Sequence, residues 1–139
     1  EVKEFLDAKE EKYISYDRII DRQCGKERPD FVFETPTHMV ILEVDEEQHK
    51  HYQPECERIR MINITHTFGM PVIFLRYNPD RFTNSKRITS TKRKEVLLEW
   101  IHHLKEVKPK DESEFLRVCY LFFDGYEAGN VKIDSIKMT

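Results

Sequence analysis

The sequence predicts one α/β domain, a mixed β-sheet core flanked by α-helices, and three observations carry that expectation. Hydrophobic spacing alternates between the strand period and the helix period along 139 residues. The first β-rich runs lie close enough together to pair through short turns, as in an antiparallel meander. The later ones are separated by helical stretches, the crossovers that parallel pairing needs. A hydrophobic fraction of 39%, with nine Phe, six Tyr and one Trp, is enough for one core, and the length suits a single domain spanning residues 1–139.

The elements follow in order. Val2, Phe5 and Leu6, with charges between them, predict a short amphipathic helix running to about Lys12. Tyr13 to Ile20 alternates loosely and reads as a first strand. Gly25 to Pro29 is a polar turn, and Pro29 pushes Arg28 towards an extended backbone. Asp30 to Glu34 and His38 to Val44 are two β-rich runs joined by Thr35-Pro36-Thr37, which makes them a hairpin. Pro54 to Phe68 is helical, with Ile59, Ile62 and Ile64 apolar and Gly69 just past its end. Pro71 to Tyr77 is a near-continuous apolar run, as in a strand buried on both faces. Lys92 to Glu106 carries Val96, Leu97, Trp100, Ile101 and Leu104 as one stripe, and Pro109 stops it. Leu116 to Phe123 is a last clear strand, and Val131 to Ile136 a weaker one. Trp100 and the aromatics from Tyr120 to Phe123 are expected in the core. There is no internal repeat and no low-complexity tract.

Composition excludes several classes. No stretch approaches the ~18 apolar residues of a membrane span, so no membrane partner is expected. No secretory signal is visible. The chain opens at Glu1 without an initiator Met, which fits a processed form or a domain cut from a longer protein. Cys24, Cys56 and Cys119 are widely spaced and odd in number, so free thiols in a reducing, intracellular compartment are expected.

The chemistry concentrates between Asp30 and His49. Glu43 and Asp45 alternate onto one face of their strand. Asp30 joins them if the hairpin register sets the start of one strand beside the end of the next. Three carboxylates meeting at a sheet rim repel one another unless a cation sits among them, and hard oxygen ligands favour Mg²⁺ or Mn²⁺. The alternative is that they are solvated strand ends. Against it, Glu43 interrupts the apolar run MVILEV, where a carboxylate is costly without a partner. His49, four residues beyond Asp45, is placed to take a proton from an attacking water. His49, His51, Cys56 and Cys24 offer a zinc set instead, but their spacing matches no strong zinc pattern.

Arg28-Pro29-Asp30-Phe31, a hairpin, and Leu42-Glu43-Val44-Asp45 together resemble the PD-(D/E)XK nuclease signature. The continuation through His49, Cys56-Glu57-x-x-Arg60 and Gly69-Met-Pro-Val-Ile-Phe-Leu-Arg76 is similar to the branch of very-short-patch repair and EDxHD homing endonucleases. The likeness covers roughly Glu1 to Arg76. It implies a restriction-endonuclease-like fold and a metal-dependent DNA endonuclease that hydrolyses phosphodiester bonds. Asp30 is then the central ligand of Mg²⁺ or Mn²⁺, and Glu43 a second ligand. Asp45 either contributes to the metal site or holds the attacking water, and His49 is the catalytic histidine. Glu1 supplies the glutamate that the family often adds from its first helix, with Glu4 as its rival. Two departures stand out: Asp45 replaces the motif lysine, and Glu46 stands where many relatives carry Gly.

Charge is segregated within a formal net of −3: residues 1–57 carry net −8 and residues 81–110 net +6. Lys86, Arg87, Lys92, Arg93 and Lys94, in an Asn/Ser/Thr-rich loop and the helix after it, are candidates for following a phosphate backbone. Arg60 and Arg76 are candidates for neutralising the reacting phosphate, although a strand-end arginine such as Arg76 also pairs readily with an acid. Phe82 is the aromatic best placed to meet a base. DNA is the expected partner, with a homodimer or a fused DNA-targeting domain supplying reach that so short a chain lacks. A catalytically silent nucleic-acid-binding module and a protein-interaction domain are the other two readings of the same residues.

Overall fold

The computed structural model describes residues 1–14, 29–49, 54–83 and 88–138, without the side chain of His49. Helix α1 (Val2–Ala8) buries Val2 and Leu6. It stops short of Lys12 because Glu10 turns left-handed at φ 56°, and the Glu11 amide reaches back to the Leu6 carbonyl at 3.0 Å. Strand β1 (Phe31–Glu34) and strand β2 (Met39–Val44) form the expected antiparallel hairpin, with Phe31 opposite Leu42 and Glu34 opposite Met39. The strand expected over Tyr13–Ile20 is described only at its start. There Ile14 makes an isolated bridge to Val32, and residues 15–20 lie outside the described set.

Helix α2 (Pro54–Phe68) opens on a proline, whose missing amide costs nothing in a first turn. It closes at Gly69, whose φ of 67° suits a residue without Cβ. Strand β3 (Val72–Tyr77) is buried along its whole length. Helix α3 (Ser90–Glu106) begins two residues earlier than Lys92 because the Thr89 hydroxyl caps it, accepting from the Lys92 amide at 3.1 Å. Strand β4 (Leu116–Leu121) and the short β5 (Ile133–Ser135) complete the chain.

The five strands lie in the order β1-β2-β3-β4-β5, parallel from β2 to β4 and antiparallel at both edges. The fold is therefore α/β, a mixed sheet with helices on both faces. Val40, Leu42, Ile73, Leu75 and Cys119 pack with α1 and α3 on one face. Val32, Ile41, Phe74 and Val118 pack with Met61 and Ile64 of α2 on the other. Each such apolar side chain contributes about 1.5–3 kcal/mol on burial. Both crossovers step the same way along the sheet, yet their helices cover opposite faces, so the two connections have opposite hands. One of them runs against the right-handed preference of such units.

The expectation of three free thiols is corrected. Cys56 is disulfide-bonded, Cys119 is a free thiol buried in the core, and Cys24 lies outside the described residues. Burial pushes the Cys119 thiol up to about 12. Cysteine usage therefore gives no argument for a reducing compartment.

The C-terminal end of α3 rests on two buried groups. His38 Nε2 donates to the Leu104 carbonyl at 2.8 Å, and Arg117 donates to Val107 O at 2.9 Å. With the ring neutral, as burial favours, Nδ1 accepts from the Thr37 hydroxyl at 2.7 Å. Burial holds the His38 pKa below 6.5, outweighing the Leu104 bond, and Arg117 nearby acts in the same direction as burial. A depressed histidine pKa means that the unfolded chain binds the extra proton first. The contribution is whole above pH 6.5 and is lost as pH falls below it, by at most about 1.4 kcal/mol per pH unit. Urea unfolding at pH 7.5, 6.5 and 5.5 should show this slope in the native chain, and His38→Gln should flatten it. Equal slopes in both proteins would rule His38 out as its source.

Candidate functional site

The carboxyl ends of β2 and β3 adjoin where their outgoing connections part, one to the α2 face and one to the α3 face. In open α/β sheets such a parting point forms the crevice that takes ligands. The acidic residues of the hairpin gather beside it. Asp30 immediately precedes Phe31, the partner of Leu42, so it stands level with Glu43, and its Oδ2 accepts from the Val44 amide at 2.7 Å. Glu43 and Asp45 alternate onto the α2 side of the sheet, as predicted.

The cations that meet them are guanidinium groups. Arg60 Nη1 donates to Glu43 Oε1 at 2.7 Å, and both side chains are wholly buried. Arg76 takes both oxygens of Asp45, at 2.5 and 3.0 Å, and lies 2.9 Å from Glu57 of α2. Burial disfavours the Arg76 charge, but Asp45 and then Glu57 and Glu43 outweigh it and raise its pKa. The expectation that Arg60 and Arg76 present themselves to phosphate is corrected: at 0% and 2% exposure they are interior counter-ions of the acids.

The donor chemistry is that of a hard divalent ion, and Asp30 with Glu43 fits one, two carboxylates level with each other on one face at a strand end. Asp45 does not fit, because Arg76 holds both its oxygens. Among the described residues no three His, Cys, Asp or Glu side chains gather as a metal-holding group. The expected trio thus reduces to a pair. The zinc alternative loses Cys56 to its disulfide, and His51 lies outside the described residues, as does the side chain of His49.

After Asp45 the chain makes a tight turn, Glu46–His49, in which Glu47 and Gln48 are both left-handed, at φ 52° and 58°. Two consecutive non-glycine residues there store of order 1–3 kcal/mol each. Bonds to the neighbouring strand-end loops hold them. The Glu47 amide donates to Asp80 at 2.7 Å, and Gln48 Oε1 accepts from the Asp124 amide at 2.7 Å. Asn78 Nδ2 joins the other two loops by donating to the Phe122 carbonyl at 2.9 Å.

Among the described residues, two clefts open from these loops. One of about 700 Å³ lies on the α3 side, lined by Glu47, Asp80, Arg81, Ser90 and Arg93. The other, about 340 Å³, lies on the α2 side against Asp45, Arg76, Tyr120 and Phe123. Sequence placed the aromatics from Tyr120 to Phe123 together in the core. Phe122 instead takes φ 65° and breaks the strand's alternation. Leu121 and Phe122 both enter the α3-side core, whereas Tyr120 remains 42% exposed with its ring 5.0 Å from that of Phe123.

Glu1 is not brought to the carboxylates. It precedes α1 at the N-cap position, where its side chain pairs instead with Lys94 at 2.6 Å and with the Ser90 hydroxyl, on the α3 side, and the Lys94 bond holds its pKa below the ordinary value. Glu4 lies in the first turn of α1, away from the α2 face. In the basic block Arg93 is buried, donating to the Asp80 carbonyl at 2.7 Å and lying 4.9 Å from the Phe82 ring centroid. Phe82 is itself core, and Arg93 reaches solvent only at the wall of the larger cleft. Lys92 is exposed on the outer side of α3, and Lys86 and Arg87 lie outside the described residues.

Glu57, Gln48, Tyr120 and Phe123 were not expected as site residues. A signal existed for Glu57: its spacing of three from Arg60 on a helix puts both on one face. No family model, curated protein or solved structure matches the chain. Among the described residues no helix is long and apolar enough to cross a membrane.

Proposed function

We propose that the chain is a metal-dependent DNA endonuclease of the PD-(D/E)XK type, with Asp30 and Glu43 as the residues that would hold Mg²⁺ or Mn²⁺. The observation that carries this reading is the placement of those two carboxylates level with each other at the end of the hairpin, beside the point where the crossovers part. A bound divalent ion supplies polarisation of a phosphoryl oxygen and a water of lowered pKa. The chain's own part is to present the two carboxylates on a rigid hairpin and to hold the turn after Asp45 in a fixed, strained shape. Asp45, pinned by Arg76, serves as a positioning residue, which leaves His49 as the base. Dimerisation or a fused targeting domain would supply the second site or the reach for double-strand cutting.

A catalytically silent nucleic-acid-binding module is the second reading, favoured by the pairing of Glu43 with Arg60 and of Asp45 with Arg76. Titrating Mg²⁺ and Mn²⁺ against supercoiled plasmid, with a chelator control, separates the two. The endonuclease gives nicked or linear product only with metal. Salt-sensitive binding with no scission at any metal concentration would leave the silent module.

A further inference from the structure

The smaller cleft, on the α2 side, combines features that the hydrolytic reading does not use. Its aromatic wall is Tyr120 and Phe123, set edge to face at 70° with Tyr120 open to solvent. Gln48 lines the same cleft. Because Gln48 Oε1 accepts from the Asp124 amide, its amide orientation is fixed and Nε2 is a donor. Among the described residues that donor is buried and meets no acceptor. An unmatched amide donor beside the cleft is unfavourable, so a small shift of the Gln48 side chain that brings Nε2 to an acceptor in the cleft gains a hydrogen bond. The charged lining is balanced, Asp45 and Glu57 against Arg58 and Arg76, so nothing in the cleft selects an anion. A flat ring with an acceptor on its edge satisfies every one of these features, whereas a phosphate meets the donor and leaves the aromatic wall unused.

We propose that this cleft receives one unpaired nucleobase of the DNA substrate, stacked against Tyr120 and accepting a hydrogen bond from Gln48 Nε2. The inference rests on the DNA-processing reading, and it adds a substrate class to it: single-stranded or locally unpaired DNA in preference to intact duplex. Stacking on an aromatic side chain is sequence-tolerant, because every base has a π-face. The Gln48 donor then favours bases with an edge carbonyl.

The test compares binding of a fluorescent single-stranded oligonucleotide with that of the same strand made abasic at successive positions, in Ca²⁺ or without metal to prevent cutting. We expect the native chain to bind the intact strand about tenfold more tightly than the abasic one at a single position. Tyr120→Ala should remove that preference while leaving abasic binding unchanged, and Tyr120→Trp should restore it. Gln48→Glu keeps the acceptor for the Asp124 amide and loses the donor, so it should lower the preference severalfold. A 2-aminopurine at the sensitive position should be quenched by the native chain and released in Tyr120→Ala. Equal binding of intact and abasic strands, or a Tyr120→Ala loss shared by both, overturns the proposal. Base preference without metal-dependent cutting keeps this site and removes the endonuclease reading. Absence of any DNA binding removes both.

Discussion

Asp30→Asn is expected to keep the fold and to lose metal-dependent scission by about a thousandfold or more. The asparagine carbonyl oxygen can still accept from the Val44 amide, the bond that Asp30 makes at 2.7 Å, so the start of β1 stays in place. What disappears is the negative charge that would neutralise a divalent ion. Lewis-acid stabilisation of the transition state is worth several kcal/mol, and each 1.36 kcal/mol is tenfold in rate. Glu43→Gln should abolish cutting as well, but it also leaves Arg60 buried against a neutral partner, so a loss there mixes charge with stability. Thermal unfolding measured beside plasmid nicking separates the effects. Full activity in Asp30→Asn would remove Asp30 from the metal site.

Arg60→Met is expected to cost about 3–5 kcal/mol of folding stability, a large share of the ~5–15 kcal/mol typical of a domain. Both Arg60 and Glu43 are wholly buried, so removing the guanidinium strands a carboxylate without its charge partner. The second substitution shows whether that is the cause. In the Arg60→Met, Glu43→Leu double variant both charges are gone and the space is filled by apolar groups, a replacement that is often neutral or stabilising. Most of the lost stability should return in urea unfolding. A double variant as weak as the single one would place the damage in packing instead of in the stranded charge.

Most of the scaffold was legible because its elements obey one period each. The hairpin over Phe31–Val44, the buried β3 and the stripe of α3 all follow from spacing. The shared face of Glu43 and Asp45 was legible too, since alternation along a strand decides it. Their partners were not. Alternation says that a carboxylate points inward; it does not say whether a metal or an arginine from a later element meets it. Arg60 and Arg76 are 17 and 31 residues away in sequence from the acids they pair with. The left-handed turn at Glu47 and Gln48 carried no glycine to announce it, so local preference was silent where three loops interlock. The basic block misled for a related reason: a positive count over residues 81–110 does not distinguish Arg93, which braces the Asp80 loop, from exposed Lys92.

Phe122 has a consequence beyond its own packing. In an uninterrupted strand it would share a face with Tyr120, and Phe123 would turn towards the helix on the far side. The single left-handed residue inserts a phase slip, so adjacent rings serve opposite purposes, one filling the interior and one walling a cleft. Residue type in this short stretch is open to exchange among aromatics, but its backbone conformation is not. Were Phe122 to take an ordinary strand backbone, alternation would send it to the cleft and Phe123 to the interior, changing both in one step.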